Sequence, residues 1–124
     1  MATRRRSKFG AVKTVVDGIT FDSKGESERY KDLKHLEKAG LISNLRLQVT
    51  YELAPAVMVN GRKKPALRYI ADFVYFDTRK NCEIVEDYKG KGRGANAGNG
   101  ILTDVYKIKR HLMLWRYNIA IFES

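Results

Sequence analysis

The chain has few of the residues that build covalent or soft-metal frameworks: one cysteine, Cys82, two histidines, His35 and His111, and two prolines among 124 residues. A lone cysteine excludes an internal disulfide, and with two histidines it falls short of a tetrahedral zinc ligand set, so any resident metal must be held by oxygen. No apolar run approaches the ~18 to 20 residues of a spanning helix. The basic start Met1-Ala2-Thr3-Arg4-Arg5-Arg6-Ser7-Lys8 lacks the apolar stretch of a secretory signal, so the expectation is a cytoplasmic protein with no membrane partner. Acidic residues are scarce too: 14 Asp and Glu face 24 Lys and Arg, and the net charge of +10 suits a polyanion such as nucleic acid.

At this length and with 44% hydrophobic residues the chain can enclose one core. The expectation is a flexible basic arm over residues 1–12 and a single domain over 13–124. Val15 to Phe21 reads as a hairpin turning at Asp17-Gly18. A helix is predicted from Ser23 to about Lys38: Ser23 and Glu26 form an S-x-x-E capping box, Gly40 supplies the stop, and Tyr30, Leu33 and Leu36 form the buried stripe. Leu45, Leu47, Val49, Tyr51 and Leu53 alternate with polar residues, which predicts a strand with all five on one face. Ala56 to Val59 reads as a brief edge strand followed by a basic turn at Arg62, Lys63 and Lys64. Leu67 to Phe76 and Glu83 to Lys89 should form an antiparallel hairpin around Thr78-Arg79-Lys80-Asn81. Residues 90–100 are glycine-rich and basic and read as a flexible loop. Thr103 caps a second helix, to about Tyr117, whose stripe is Val105, Ile108, Leu112 and Trp115, and Ile119 to Phe122 closes the chain as a strand. The fold class implied is α/β with a mixed sheet.

The chemistry-bearing pattern lies on the central hairpin. Strand alternation puts Asp87 and Lys89 on one face and Glu86 on the other. A turn centred between Arg79 and Lys80 sets Asp72 opposite Asp87, with Cβ atoms roughly 5 Å apart. Two opposed carboxylates repel unless a cation lies between them, and hard oxygen ligands at this density suit Mg²⁺, with Mn²⁺ as a substitute. Lys89 then stands where an ammonium orients an attacking water or stabilises charge on phosphate. The alternative for these residues is a cross-strand salt bridge or an acid exposed at a sheet edge. Helical phase turns Glu26 toward the core face and Glu28 to solvent, so Glu26 completes the metal shell, unless it only closes the capping box. Gln48 is a secondary candidate on the polar face of its strand. His35 faces away from its helix stripe and His111 sits among basic residues, so neither has a catalytic case.

Arranged in this order, the residues resemble the PD-(D/E)xK nuclease superfamily. The segments Phe21-Asp22-Ser23-Lys24-Gly25-Glu26, Leu45-Arg46-Leu47-Gln48, Tyr69-Ile70-Ala71-Asp72-Phe73 and Val85-Glu86-Asp87-Tyr88-Lys89-Gly90 are similar to a family of small phage-encoded proteins assigned to it. The resemblance implies a restriction-endonuclease-like αβββαβ core, here behind an N-terminal hairpin. It makes Asp72 the first motif aspartate, Asp87 the acidic member of (D/E)xK, Lys89 its lysine and Glu26 the helix glutamate, with the Tyr88 carbonyl a further metal ligand. Ala71 replaces the motif's proline, a position with no ligating group. Relatives of this size include endonuclease-I-like and Holliday-junction-resolving enzymes, which implies a homodimer acting on branched DNA. Arg4, Arg5, Arg6 and Lys8 of the arm, Lys91 and Arg93 of the glycine-rich loop, and Lys109 of the second helix are the expected phosphate contacts, whereas Lys107 and Arg110 face outward. The rival expectation is a non-catalytic nucleic-acid-binding module on the same fold.

Overall fold

A computed structural model describes residues 13–90 and 102–124. It is a mixed α/β structure in which a four-stranded sheet lies between two helices. The elements run β1 (Thr14–Val16), β2 (Ile19–Phe21), α1 (Lys24–Lys38), β3 (Ile42–Ala54), β4 (Val57–Val59), β5 (Arg62–Lys64), β6 (Leu67–Asp77), β7 (Cys82–Asp87), α2 (Asp104–Tyr117) and β8 (Phe122–Glu123). The main sheet has the order β3-β6-β7-β8, antiparallel except for the β7–β8 pair, so α1, β3, β6, β7, α2 and β8 reproduce the expected αβββαβ order. The expected arm at 1–12 and residues 91–100 of the glycine-rich loop lie outside the described residues.

Local chemistry accounts for the element ends. Asp17 and Gly18 both take positive φ, 53° and 75°, as the two-residue β1–β2 turn demands. Ser23 Oγ accepts the Glu26 N–H at 3.1 Å, capping α1. At its other end Gly40 (φ 78°) sends its N–H to Glu37 and Leu41 sends its N–H to Leu36, the paired bonds of a Schellman stop. Asp77 Oδ1 accepts the N–H groups of Arg79 and Lys80 at 2.9 and 3.0 Å, which shapes the β6–β7 turn. That turn fixes the register: Asp77 pairs with Cys82, Val74 with Val85 and Phe73 with Glu86, the offset expected from the sequence.

Two apolar clusters cover the two sheet faces. Phe21, Tyr30, Leu33, Ile42, Phe73 and Tyr75 pack under α1, and Leu53, Tyr69, Ala71, Val74, Val85, Tyr106 and Met113 pack under α2. The single-face expectation for the first core strand is corrected here. Leu45 and Leu47 join the α1 cluster, whereas Val49 and Tyr51 pack against the α2 cluster with Leu53. The change falls at Gln48, whose φ of 53° is unusual for a residue with a β-carbon and turns the strand between its two halves. The β3–β6 ladder pairs Leu47 with Phe73 and Val49 with Ala71 and skips the Gln48–Asp72 position between them.

Three further expectations are corrected. The stripe Val105, Ile108 and Trp115 faces solvent, at 62, 59 and 75% exposure, while Tyr106 and Met113 are buried and Leu112 is half-buried. Apolar residues run nearly all round α2, so helical phase fits more than one stripe, and packing selects the one whose tyrosine hydroxyl meets Glu123 at 2.6 Å. The basic segment Arg62 to Lys64 is a strand rather than a turn, because the turn is made by Asn60 and Gly61 at positive φ. The closing strand is Phe122–Glu123, later than expected, after Asn118 has ended α2 in the left-handed conformation.

One ion pair ties α1 to the sheet. Glu86, with no exposed surface, receives Arg29 Nε at 2.6 Å, Arg29 Nη2 at 3.0 Å and the Tyr75 hydroxyl at 2.6 Å. Breaking such a pair leaves a buried charge without its partner, which costs about 3–5 kcal/mol. Arg29→Met should lower the urea-unfolding free energy by that order, and Arg29→Met combined with Glu86→Leu should recover most of the loss. Equal destabilisation by the single and double variants would contradict the assignment.

Candidate active site

The site forms where the first turn of α1, the middle of β3 and β6, and the end of β7 come together. Gly25 permits this approach: a β-carbon there would run into the Tyr88 ring and hydroxyl, so glycine lets the helix start lie against Tyr88 where that ring now stands. The next residue, Glu26, lines a cavity of about 230 Å³ with Ile19, Thr20, Phe21, Asp22, Leu47 and Gln48. Glu28 is exposed and pairs with Lys31 at 3.3 Å, as helical phase predicts.

Asp72 lies just past the paired part of the β6–β7 ladder. Its Oδ2 accepts the Tyr88 N–H at 2.8 Å, and Gln48 Nε2 approaches its Oδ1 at 3.4 Å. The residue skipped in the β3–β6 ladder is thus the one that offers its carboxylate to the site. Asp87 and Lys89 lie on the α2 side and Glu86 on the α1 side, the separation expected from alternation. Asp87 Oδ2 accepts the Tyr69 hydroxyl at 2.8 Å, and its Oδ1 meets Lys89 Nζ at 2.9 Å. Lys89 Nζ also sits 3.4 Å from the centre of the Tyr106 ring, whose face attracts a cation. The C-terminus holds this strand end in place: Ser124 O accepts the N–H groups of Lys89 and Gly90, and Ser124 N–H donates to Asp87 O.

Two of the carboxyls are shifted by their surroundings. Burial pushes the Glu26 carboxyl up to about 7, and Asp72, Asp22 and Asp87 push it the same way. Burial raises Asp72 to about 6 with a contribution from Asp87, against the lowering effect of the Tyr88 N–H, Gln48 and Lys89. Tyr69 and Tyr106 are driven far above the usual phenol range, by burial first, so both hydroxyls remain protonated donors. The hard oxygens of Glu26, Asp72 and Asp87 are of the kind that could hold Mg²⁺ or Mn²⁺. As they lie, no three His, Cys, Asp or Glu side chains among the described residues are close enough to share one ion. Ligation by all three therefore requires side-chain rotation, with Asp87 and Asp72 oriented by Lys89, Tyr69 and Tyr88 in the present arrangement.

The expected residues Glu26, Gln48, Asp72, Asp87, Tyr88 and Lys89 are brought into one neighbourhood. Lys109 is half-buried on α2 and makes no ion pair among the described residues. Arg110 was expected to face outward but meets Glu123 at 2.9 Å and stands 5.7 Å from the Tyr106 ring, because α2 is rotated to bury Tyr106. His35 and His111 are exposed. Arg4, Arg5, Arg6, Lys8, Lys91 and Arg93 lie outside the described residues. Residues that sequence reasoning passed over are Tyr69 and Tyr106, which resemble ordinary core aromatics, Asp22, which sits beside the capping serine, and Arg29, whose partner is distant in sequence.

A family model described as protein of unknown function (DUF1064) matches residues 6–120. No curated protein and no solved structure matches the chain.

The raised carboxyls make stability depend on pH in a defined direction. Glu26 and Asp72 bind protons in the folded protein at pH values where the unfolded chain has released them. The stability they contribute is full below the ordinary carboxylate values of 4.5 and 3.8 and is lost as pH rises through about 6 and about 7. In EDTA, the Tm of the wild type should fall relative to Glu26→Gln/Asp72→Asn between roughly pH 4 and pH 8. Parallel profiles for the two proteins would contradict the assigned shifts.

Proposed function

The chain belongs to the DUF1064 family, and on the geometry of its site we propose that it is a divalent-metal-dependent endodeoxyribonuclease of the PD-(D/E)xK type. The observation that carries this reading is the gathering of Glu26, Asp72 and Asp87 from three separate elements, with Lys89 beside Asp87 and the Glu26 and Asp72 carboxyls raised, by burial first and by neighbouring carboxylates second. The net charge of +10 supports a nucleic-acid substrate.

Glu26, Asp72 and Asp87 would hold Mg²⁺ or Mn²⁺, which when bound supplies a Lewis acid for a phosphoryl oxygen. Lys89 presents an ammonium with three rotatable donors; it orients water for attack and stabilises charge building on the phosphate. The Tyr106 ring and Asp87 hold that ammonium in place, and the Ser124 carbonyl holds the backbone N–H of the same lysine. Tyr69 holds Asp87 through a hydroxyl that stays protonated, so it orients the carboxylate without competing for a proton. The Tyr88 N–H fixes one oxygen of Asp72 and leaves the remaining lone pairs free for ligation. Gln48 turns the strand and touches Asp72; its φ of 53° is backbone strain of the kind that accumulates at working sites. The resemblance to junction-resolving enzymes adds branched DNA as the substrate to try first and a homodimer as the working form. The non-catalytic rival has one observation in its favour, the lack of three ready-set ligands among the described residues.

Linear, single-stranded and four-way-junction DNA incubated with Mg²⁺, Mn²⁺ or EDTA should be cut only with metal. Asp87→Asn and Lys89→Ala should each reduce the rate by about 10²-fold or more, an effect of the size seen when one electrostatic group is removed from an active site. Metal-independent cutting, or full activity in both variants, would defeat the mechanism; salt-sensitive binding without any cleavage would favour the rival. Gln48→Gly should raise Tm slightly by accepting the positive φ, while slowing cleavage through the lost contact to Asp72. A Tm below that of the wild type would remove the strain argument.

A further inference from the structure

The β3–β6 hairpin does not end with the main sheet. Ala54 pairs with Leu67, and the same offset continues in Val57 with Lys64, Met58 with Lys63 and Val59 with Arg62. Both prolines of the chain, Pro55 and Pro65, fall in the gap between the two paired regions. Lacking an N–H, they stop the ladder while the strands keep their direction. Beyond them β4 and β5 form a two-stranded ribbon that, among the described residues, contacts no other helix or strand. All six of its strand residues are exposed, and the tip turns at Asn60 (φ 50°) and Gly61 (φ 77°).

The ribbon carries a charge pattern of one sign. Arg62, Lys63 and Lys64 make no ion pair among the described residues, and the chain has no acidic residue between Glu52 and Asp72. A lone two-stranded ribbon is marginally stable in water, and this one also exposes Val57, Met58 and Val59, at 52, 65 and 43%. It gains most from a partner that is anionic and admits a narrow ribbon. The major groove of duplex DNA, about 12 Å wide, takes a two-stranded β-ribbon, and its rims are phosphate. The position relative to the site fits as well. Arg62 precedes Asp72 by ten residues, of which β6 contributes an unbroken strand from Leu67. At about 3.3 Å per residue the separation is at most roughly 33 Å, close to one turn of B-form DNA.

We infer that the β4–β5 ribbon is a duplex-DNA arm, whose Arg62, Lys63 and Lys64 engage the phosphates bordering the groove within about ten base pairs of the phosphate presented to Asp72 and Asp87. The distance to a cut phosphate rests on the nuclease reading; the binding role does not.

The test uses the full chain and Arg62→Ala/Lys63→Ala/Lys64→Ala, substitutions confined to exposed side chains. Binding to a labelled duplex of about 30 base pairs is followed in EDTA over a salt series; the variant should show a log–log slope smaller by about 2.7, the release expected for three phosphate contacts. In EDTA, shortening the duplex toward about ten base pairs should weaken binding of the wild type more than binding of the variant. An unchanged salt slope overturns the inference, as does a variant whose defect is loss of self-association or of anionic-vesicle binding with the duplex slope intact. Ribbon-dependent binding with no cleavage under any metal keeps the arm and removes the nuclease reading; metal-dependent cleavage with a ribbon-independent slope does the reverse.

Discussion

The bidentate contact of Arg29 with Glu86 is the constraint on which the arrangement of the site depends. A carboxylate with no exposed surface must be paired, and its partners here lie on α1 and β6, so satisfying Glu86 docks the helix against the sheet and sets the phase of β7 at once. Once Glu86 points toward α1, alternation sends Asp87 and Lys89 to the α2 side, where Tyr69 and Tyr106 receive them. The same docking brings the start of α1 against Tyr88, and Gly25 lets it come close enough for Glu26 to sense both Asp72 and Asp87. One buried pair therefore positions two carboxylates, Glu26 and Asp87, to which it does not belong.

Asp72 reaches the site by a different device. In a regular strand it would be committed to one apolar face, where an unpaired carboxylate is costly. The positive φ of Gln48 and the skipped ladder position release Asp72 from the β3–β6 pairing, and the Tyr88 N–H takes one of its oxygens. This irregularity also lets two halves of one strand serve two cores, Leu47 under α1 and Val49 under α2. The sharing of one strand by two cores and the placing of Asp72 at the site thus come from the same local distortion. Further out, the prolines that end the ladder free the ribbon from the sheet without changing its register.

What could be read from the sequence was mostly what local chemistry decides. Ser23, Gly40, Asp17-Gly18 and the Thr78–Asn81 turn set their elements through contacts a few residues long, and the turn alone was enough to align Phe73 with Glu86. Helical phase separated Glu26 from Glu28, and strand phase separated Asp87 from Glu86. The face of α2 was misread because Val105, Ile108 and Trp115 compete with Tyr106 and Met113 for burial, and that competition is settled by Glu123 and Lys89, both from other elements. The turn at Gln48 left no sign because glutamine is not a residue that announces positive φ. Arg29 with Glu86 was invisible for a related reason: fifty-seven residues separate them, and nothing in either neighbourhood specifies the other.

The central claim is that Glu26, Asp72 and Asp87 act together on one divalent ion, and Mn²⁺ binding followed by electron paramagnetic resonance tests it without reference to any substrate. The account predicts saturable binding to the wild type that is lost in Asp72→Asn and in Asp87→Asn, is weakened in Glu26→Gln, and is unaffected in Glu28→Gln, whose carboxylate faces solvent with Lys31. No saturable binding by the wild type, or the same binding in Asp72→Asn and Asp87→Asn as in Glu28→Gln, would contradict it.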